Sequence, residues 1–220
     1  RKTLASLPVI VAEGDSWFDY KPGFDVLDQI RSKWGYKIHR FGNAGDTLEN
    51  MAYGTEIDRN FRRRTPQIEE VKAAVKKHKP GIVLFSGGGN DVAGDELINY
   101  LHHSSAPSSN GGKNWLQADV WASALKQMEA AIKHFAKAIW SEHAAARIVM
   151  HGYARPVPDG RAVVNLPGFK FIGPWIRPSF ARKGYTSWEK TEPYIGKLLD
   201  DYNDLIAKVA KDLGKQFRYV

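Results

Sequence analysis

Five short apolar runs alternate with longer segments of helical period along these 220 residues. The runs are Leu7–Glu13, Tyr36–Phe41, Gly81–Ser86, Ala146–His151 and Gln216–Val220. The first, third and fourth are apolar almost without a break, as in strands covered on both faces of a parallel sheet. Parallel neighbours must be joined by crossovers, and the segments between the runs have the length to supply them.

Those segments carry apolar stripes. Phe24–Trp34 aligns Phe24, Leu27, Ile30 and Trp34 and stops at Gly35. Pro66–His78 opens on a first-turn proline and ends before Pro80. Asp119–His143 aligns Val120, Leu125, Met128, Ile132, Phe135 and Ile139. Pro193–Leu213 aligns Ile195, Leu198, Tyr202, Leu205 and Val209 ahead of Gly214. Such stripes read as faces packed on a sheet. The expectation is one α/β domain over residues 1–220, with helices on both faces of a doubly wound parallel sheet. Ligands of such sheets bind beyond the carboxyl ends of the strands.

Two stretches fit no regular element. Ser104–Asn114 is rich in Ser, Gly and Asn and reads as a flexible loop. Pro156–Glu189 is punctuated by Pro and Gly and carries Phe169, Phe171, Trp175, Phe180, Tyr185 and Trp188. A stretch of that length reads as a lid or a binding wall inserted in the domain.

Composition removes several function classes. There is no cysteine, which excludes disulfides, thiolate chemistry and cysteine zinc sites. No window holds 18 consecutive apolar residues, so no integral membrane segment is expected. His102 and His103 are adjacent rather than four apart and have no acidic cluster beside them, so no metal is expected. The formal charge is +8, with its densest runs at Arg59–Arg64 and Lys72–Lys79. The second run reads as a solvated helix face. Net charge alone constrains partners weakly, and no nucleic-acid partner is expected. The N-terminus has no signal-peptide pattern, and Arg1 in place of an initiating Met leads to the expectation of a processed or trimmed chain. None of this assigns a compartment.

Three polar clusters follow the first three runs. Gly14-Asp15-Ser16 follows the first, and a serine at the mouth of a sheet is a nucleophile once a base takes its proton. Asp15 reads as the residue that fixes the turn by hydrogen bonding. Asn43-Ala44-Gly45-Asp46-Thr47 follows the second run, and Gly45 has no Cβ to keep its N–H from a substrate. Gly88-Gly89-Asn90-Asp91 follows the third and offers the Asn90 amide. The N–H of Ser16, the N–H of Gly45 and the Asn90 side chain would together form an oxyanion hole. The glycines lack the Gly-Lys-Ser/Thr ending of a P-loop.

In these three blocks the chain resembles the SGNH, or GDSL-type, hydrolases. The resemblance is close over the first 91 residues, and Gly88-Gly89-Asn90-Asp91 is its most specific part. It implies a flavodoxin-like three-layer α/β/α sandwich with a five-stranded parallel sheet. It also implies hydrolysis of small-molecule esters, thioesters or acetylated sugars without cofactor or metal. Ser16 takes the nucleophile position, and Gly45 and Asn90 the oxyanion positions. The family's fourth block, Asp-x-x-His, follows the last strand. Here the sequence reaches Val220 on that strand, and no Asp-x-x-His occurs in it. The general-base His and its Asp are therefore expected in a tail beyond Val220. His151, at the end of the fourth run, is expected to touch substrate rather than serve as base, with Asp15, Trp17 and Tyr153 beside it. The alternative is an inactive ligand-binding module on the same fold.

Overall fold

In the computed structural model, which describes residues 8–20, 25–161, 164–166 and 169–220, strand β1 (Val9–Gly14) is β-branched at its start and buried from Ile10 onward. Helix α1 (Val26–Trp34) starts where Asp25 Oδ1 accepts the Asp28 amide and ends at Gly35, whose φ of 73° closes a left-handed cap. Strand β2 (Lys37–Arg40) follows. Helix α2 (Leu48–Tyr53) is capped by Thr47 and buries Leu48 and Met51. Helix α3 (Gln67–His78) buries Ile68, Val71 and Val75 and leads to β3 (Ile82–Ser86). Short helices α4 (Gly89–Ala93) and α5 (Leu97–Tyr100) precede the long α6 (Ala118–Glu142) and β4 (Arg147–Met150). The antiparallel pair β5 (Val164–Leu166) and β6 (Phe169–Ile172), helix α7 (Ile176–Arg182), α8 (Trp188–Leu213) and β7 (Phe217–Tyr219) complete the chain.

The sheet order is β2-β1-β3-β4-β7, with every pairing parallel. Adjacent residues of β1 point to opposite layers. Ala12 packs with Phe18 and with Leu27 of α1 on one face. Glu13 meets Gln67 of α3 on the other. This is the doubly wound parallel sheet expected from the alternation, in the five-stranded three-layer α/β/α form that the resemblance implies.

Two compact units divide the chain: Arg1–Gly88, Gln127–Gly152 and Leu205–Val220 in the first, Gly89–Lys126 and Tyr153–Asp204 in the second. The first holds the five-stranded sheet. Its interior includes Phe85 stacked on Phe135 at 4.0 Å. In the second, Phe180 is fully buried and its ring meets those of Tyr185 and Tyr194 at 6.2 and 6.3 Å.

Several boundaries differ from the sequence expectation. Residue Leu7, Phe24 and the side chains of Phe169 and Phe171 lie outside the described residues. The 156–189 stretch, expected to be irregular, contains β5, β6 and α7. The 104–114 loop is held by its own hydrogen bonds: Ser109 is fully buried, with its hydroxyl 2.7 Å from the carbonyls of Ser104 and Ala106. Helix α8 starts five residues before Pro193. Ser187 stands just ahead of it and accepts the Lys190 amide, which is the start signal of an N-cap serine.

Candidate active site

The turn after β1 is built by close approach. A Cβ at Gly14 would lie within 2.7–2.8 Å of Phe18 and of the side chain and carbonyl of Ser86. The Asp15 amide donates to the Ser86 carbonyl at 3.1 Å, extending the β1–β3 ladder. The chain then reverses. The Phe18 amide donates to the Asp15 carbonyl at 2.9 Å, and the Trp17 amide donates to Asp15 Oδ1 at 3.1 Å. An aspartate that caps the amide two residues on is an Asx turn. Ser16 occupies its second position, half-buried. Among the described residues its hydroxyl makes no hydrogen bond.

Below Ser16 lies a contact that no local pattern announces. Ser86, fully buried, donates its hydroxyl to Asp15 Oδ1 at 2.8 Å and lies 2.8 Å from His151 Nε2. His151 Nδ1 is 2.8 Å from the Gly152 carbonyl. A carbonyl only accepts, so that contact requires a hydrogen on Nδ1. Ser86 has one hydrogen for two neighbours. The His151 ring also lies edge-on to half-exposed Trp17 at 5.8 Å and tilted to Phe18 at 6.2 Å. His151 is thus placed against Ser86 and the flank of the Ser16 turn, with no bond to Ser16 itself.

The loop after β2 is brought to β1 by backbone. A Cβ at Gly42 would stand 2.5 Å from the Gly14 carbonyl oxygen. The Phe41 amide donates to Ala12 and the Asn43 amide to Gly14, at 2.9 and 3.0 Å. The Asp46 amide closes the turn onto the Asn43 carbonyl at 3.2 Å. Gly45 lies in this turn at φ 96°, where a side chain is strained, and faces open space. The Ala44 amide reaches Asp19 Oδ2 at 3.4 Å, joining the two loops.

A chain of side chains supports the same loop. Gln67 donates to Glu13 Oε2 at 3.1 Å and accepts from Asn43 Nδ2 at 2.8 Å. Asn50 donates to Asp46 Oδ1 at 2.9 Å. Glu13 is fully buried, and its Oε1 has no hydrogen-bond partner among the described residues. Burial pushes its carboxyl well above the usual range. The Gln67 bond opposes that rise, and Asp46 and Glu70 add to it. Burial also raises Asp46, against the hydrogen bonds of Asn50 and Asn43. Beside this network opens a polar cavity of about 590 Å³, lined by Asn43, Asn50 and Gln67 and by Arg40, Arg64 and Glu70. No sequence signal short of the fold links Glu13, Gln67 and Asn43.

The second unit carries Gly89, Asn90 and Asp91 of the third block. Asn90 lies in the first turn of α4, and its carbonyl accepts the Gly94 amide at 2.9 Å. A Cβ at Gly89 would fall 2.7 Å from the Tyr153 ring, so that ring packs directly on the glycine. Tyr153 is fixed through its backbone by Asn203, which accepts its amide and donates to its carbonyl, both at 2.9 Å. Among the described residues no three His, Asp or Glu side chains are grouped to hold a metal ion.

No protein-family model matches the chain, and no curated protein sequence matches it. Solved structures do. An extracellular lipase from Streptomyces rimosus superposes with a TM-score of 0.55 at 18% identity, over 96% of this chain and 80% of that one. The fold is SGNH-like. Phospholipase A1 from Streptomyces albidoflavus NA297 gives a TM-score of 0.50 at 14% identity, over 97% of this chain and 79% of its own. At these identities the SGNH-like resemblance is one of fold, and each residue's role rests on its surroundings.

Proposed function

We propose that the protein is a serine ester hydrolase of the SGNH type acting on a small-molecule ester. The observation that carries this reading is the Asx turn at the end of β1, which holds Ser16 half-buried at its second position, its hydroxyl making no hydrogen bond among the described residues. Ser16 Oγ attacks the ester carbonyl as a base takes its proton, the tetrahedral intermediate expels the alcohol with that proton to leave an acyl-enzyme, and water then releases the acid and restores Ser16. The N–H groups of Ser16 and Gly45 and the Asn90 side chain take the oxyanion, each worth about 10²–10³ in kcat. Trp17, His151 and Tyr153 contact the substrate, and Asp15 shapes the turn. Acylation needs a base on Ser16. His151 is engaged with Ser86 and Gly152, and the Asp-x-x-His pair of the resemblance does not occur in the 220 residues.

The test is intact mass after exposure to a fluorophosphonate probe. One adduct, absent from Ser16→Ala, supports the hydrolase. An unlabelled protein would replace it with the ligand-binding module. Slow ester turnover alone does not separate the two, because sites lacking triad members retain about 10³–10⁴-fold catalysis over water.

A further inference from the structure

The loop between α2 and α3 displays a bare phenyl ring. Phe61 is 85% exposed and has a φ of 60°. For a bulky residue that conformation is a true outlier. Glycine or asparagine would sit there at little cost. The ring therefore gains neither burial nor backbone ease inside this unit.

The loop is nonetheless firmly made. Ile57 and Arg63 pair as an antiparallel bridge. The Asp58 amide donates to Arg62 at 2.8 Å, and the Phe61 amide returns to Asp58 at 3.0 Å. Asp58 Oδ1 accepts the amides of Asn60 and Arg62 at 2.7 and 3.0 Å. Arg63 ties the base to the carbonyls of Tyr53 and Gly54, and Arg64 pairs with Glu56 at 3.3 Å. The Asp58 carboxylate is thus occupied by backbone amides. Arg59 and Arg62 stand two residues before and one residue after Phe61, are exposed, and have no ion-pair partner among the described residues. Ile57, 49% exposed, adds apolar surface.

We propose that this loop docks the protein on an anionic lipid surface, with Phe61 entering the headgroup boundary and Arg59 and Arg62 meeting the phosphates. Interfacial binding scales with inserted apolar area plus attraction to anionic lipid, and one exposed ring on a loop that also carries two exposed arginines supplies both. Single-stranded nucleic acid is the weaker fit. It needs successive stacking platforms along a groove, whereas this loop offers one ring at a tip. Glu56 and Arg64 of the same loop line the polar cavity beside Asn43. Docking would hold that cavity near the lipid surface, whether or not Ser16 is a nucleophile.

Co-sedimentation with phosphatidylglycerol/phosphatidylcholine vesicles tests this, with phosphatidylcholine vesicles as reference. The wild type binds the anionic vesicles and is weakened by salt. Phe61→Asn, which suits the backbone and removes the ring, weakens binding about tenfold. Arg59→Ala with Arg62→Ala weakens it about 30-fold at low salt, from about one kcal/mol per arginine near such a surface. Phe61→Asn keeps or raises the urea midpoint, so lost binding is not lost folding. Ser16→Ala binds like the wild type, which separates docking from hydrolysis. Absent wild-type binding, or equal binding by Phe61→Asn, overturns the proposal. So does an oligothymidylate complex that needs Phe61 while vesicles are ignored, or a dimer in sedimentation that Phe61→Asn dissociates.

Discussion

Ser86→Ala tests the buried contact beneath the candidate nucleophile. Removing one hydroxyl takes a hydrogen bond from each of two polar atoms, Asp15 Oδ1 and His151 Nε2, both 2.8 Å from it. A buried donor or acceptor left unsatisfied costs about 1–3 kcal/mol. Asp15 is 1% exposed, so water cannot readily replace the lost bond, although its Oδ1 keeps the Trp17 amide. His151 is half-buried and recovers part of its loss from solvent. The sum is about 2–4 kcal/mol, read as a lower urea midpoint at unchanged slope. Ser141→Ala is the control. Its hydroxyl serves only the Ala138 carbonyl on an exposed helix face, and its loss should cost less than about 0.5 kcal/mol. Nitrogen chemical shifts of the His151 ring give a second readout, with Nδ1 protonated in the wild type. A Ser86→Ala loss below about 1 kcal/mol, or a bare Nδ1, would refute the accounting.

Two further outcomes follow from the same edge of the sheet. Glu13 has its carboxyl raised in the folded protein, so the folded state holds the proton more tightly than the unfolded chain. Its stabilising share is complete below the unfolded pKa of about 4.5 and falls as pH rises toward the folded value, by at most about 1.4 kcal/mol per pH unit. Glu13→Gln should therefore gain on the wild type in urea stability from pH 5 upward, leaving only the shallower slope of Asp46; parallel curves would exclude Glu13 as the source. Gly42→Ala should cost about 1–3 kcal/mol, because its Cβ meets the Gly14 backbone at 2.5 Å, and should slow fluorophosphonate labelling of Ser16. Gly81→Ala, with nothing within 4 Å, is its neutral counterpart, and equal melting of the two variants would count against the close-approach argument.

The sheet was legible because burial on both faces leaves a local mark. Val9–Ala12 and Ile82–Phe85 are apolar runs that only a covered strand explains. Glu13 is the exception within β1: a carboxyl in an apolar run gives no sign that Gln67, 54 residues away, will meet it. The Ser86 contacts span 71 and 65 residues and are equally silent. The glycines of the three polar blocks announced turns, but Thr47 as the cap of α2 went unread, as did Ser187 ahead of α8. In both places a hydroxyl before a helix was the signal. The apolar stripe reads as beginning at Pro193, yet α8 carries that proline in its interior.

The loop after β2 is hung from β1 by main-chain bonds: Phe41 to Ala12, Asn43 to Gly14, and Asp46 back to Asn43. A main-chain bond does not read side-chain identity. Substitution at Ala44 can then change what the loop displays without changing where its amides stand. A lineage could explore new chemistry on this rim one residue at a time, so long as Gly14 and Gly42 stay bare.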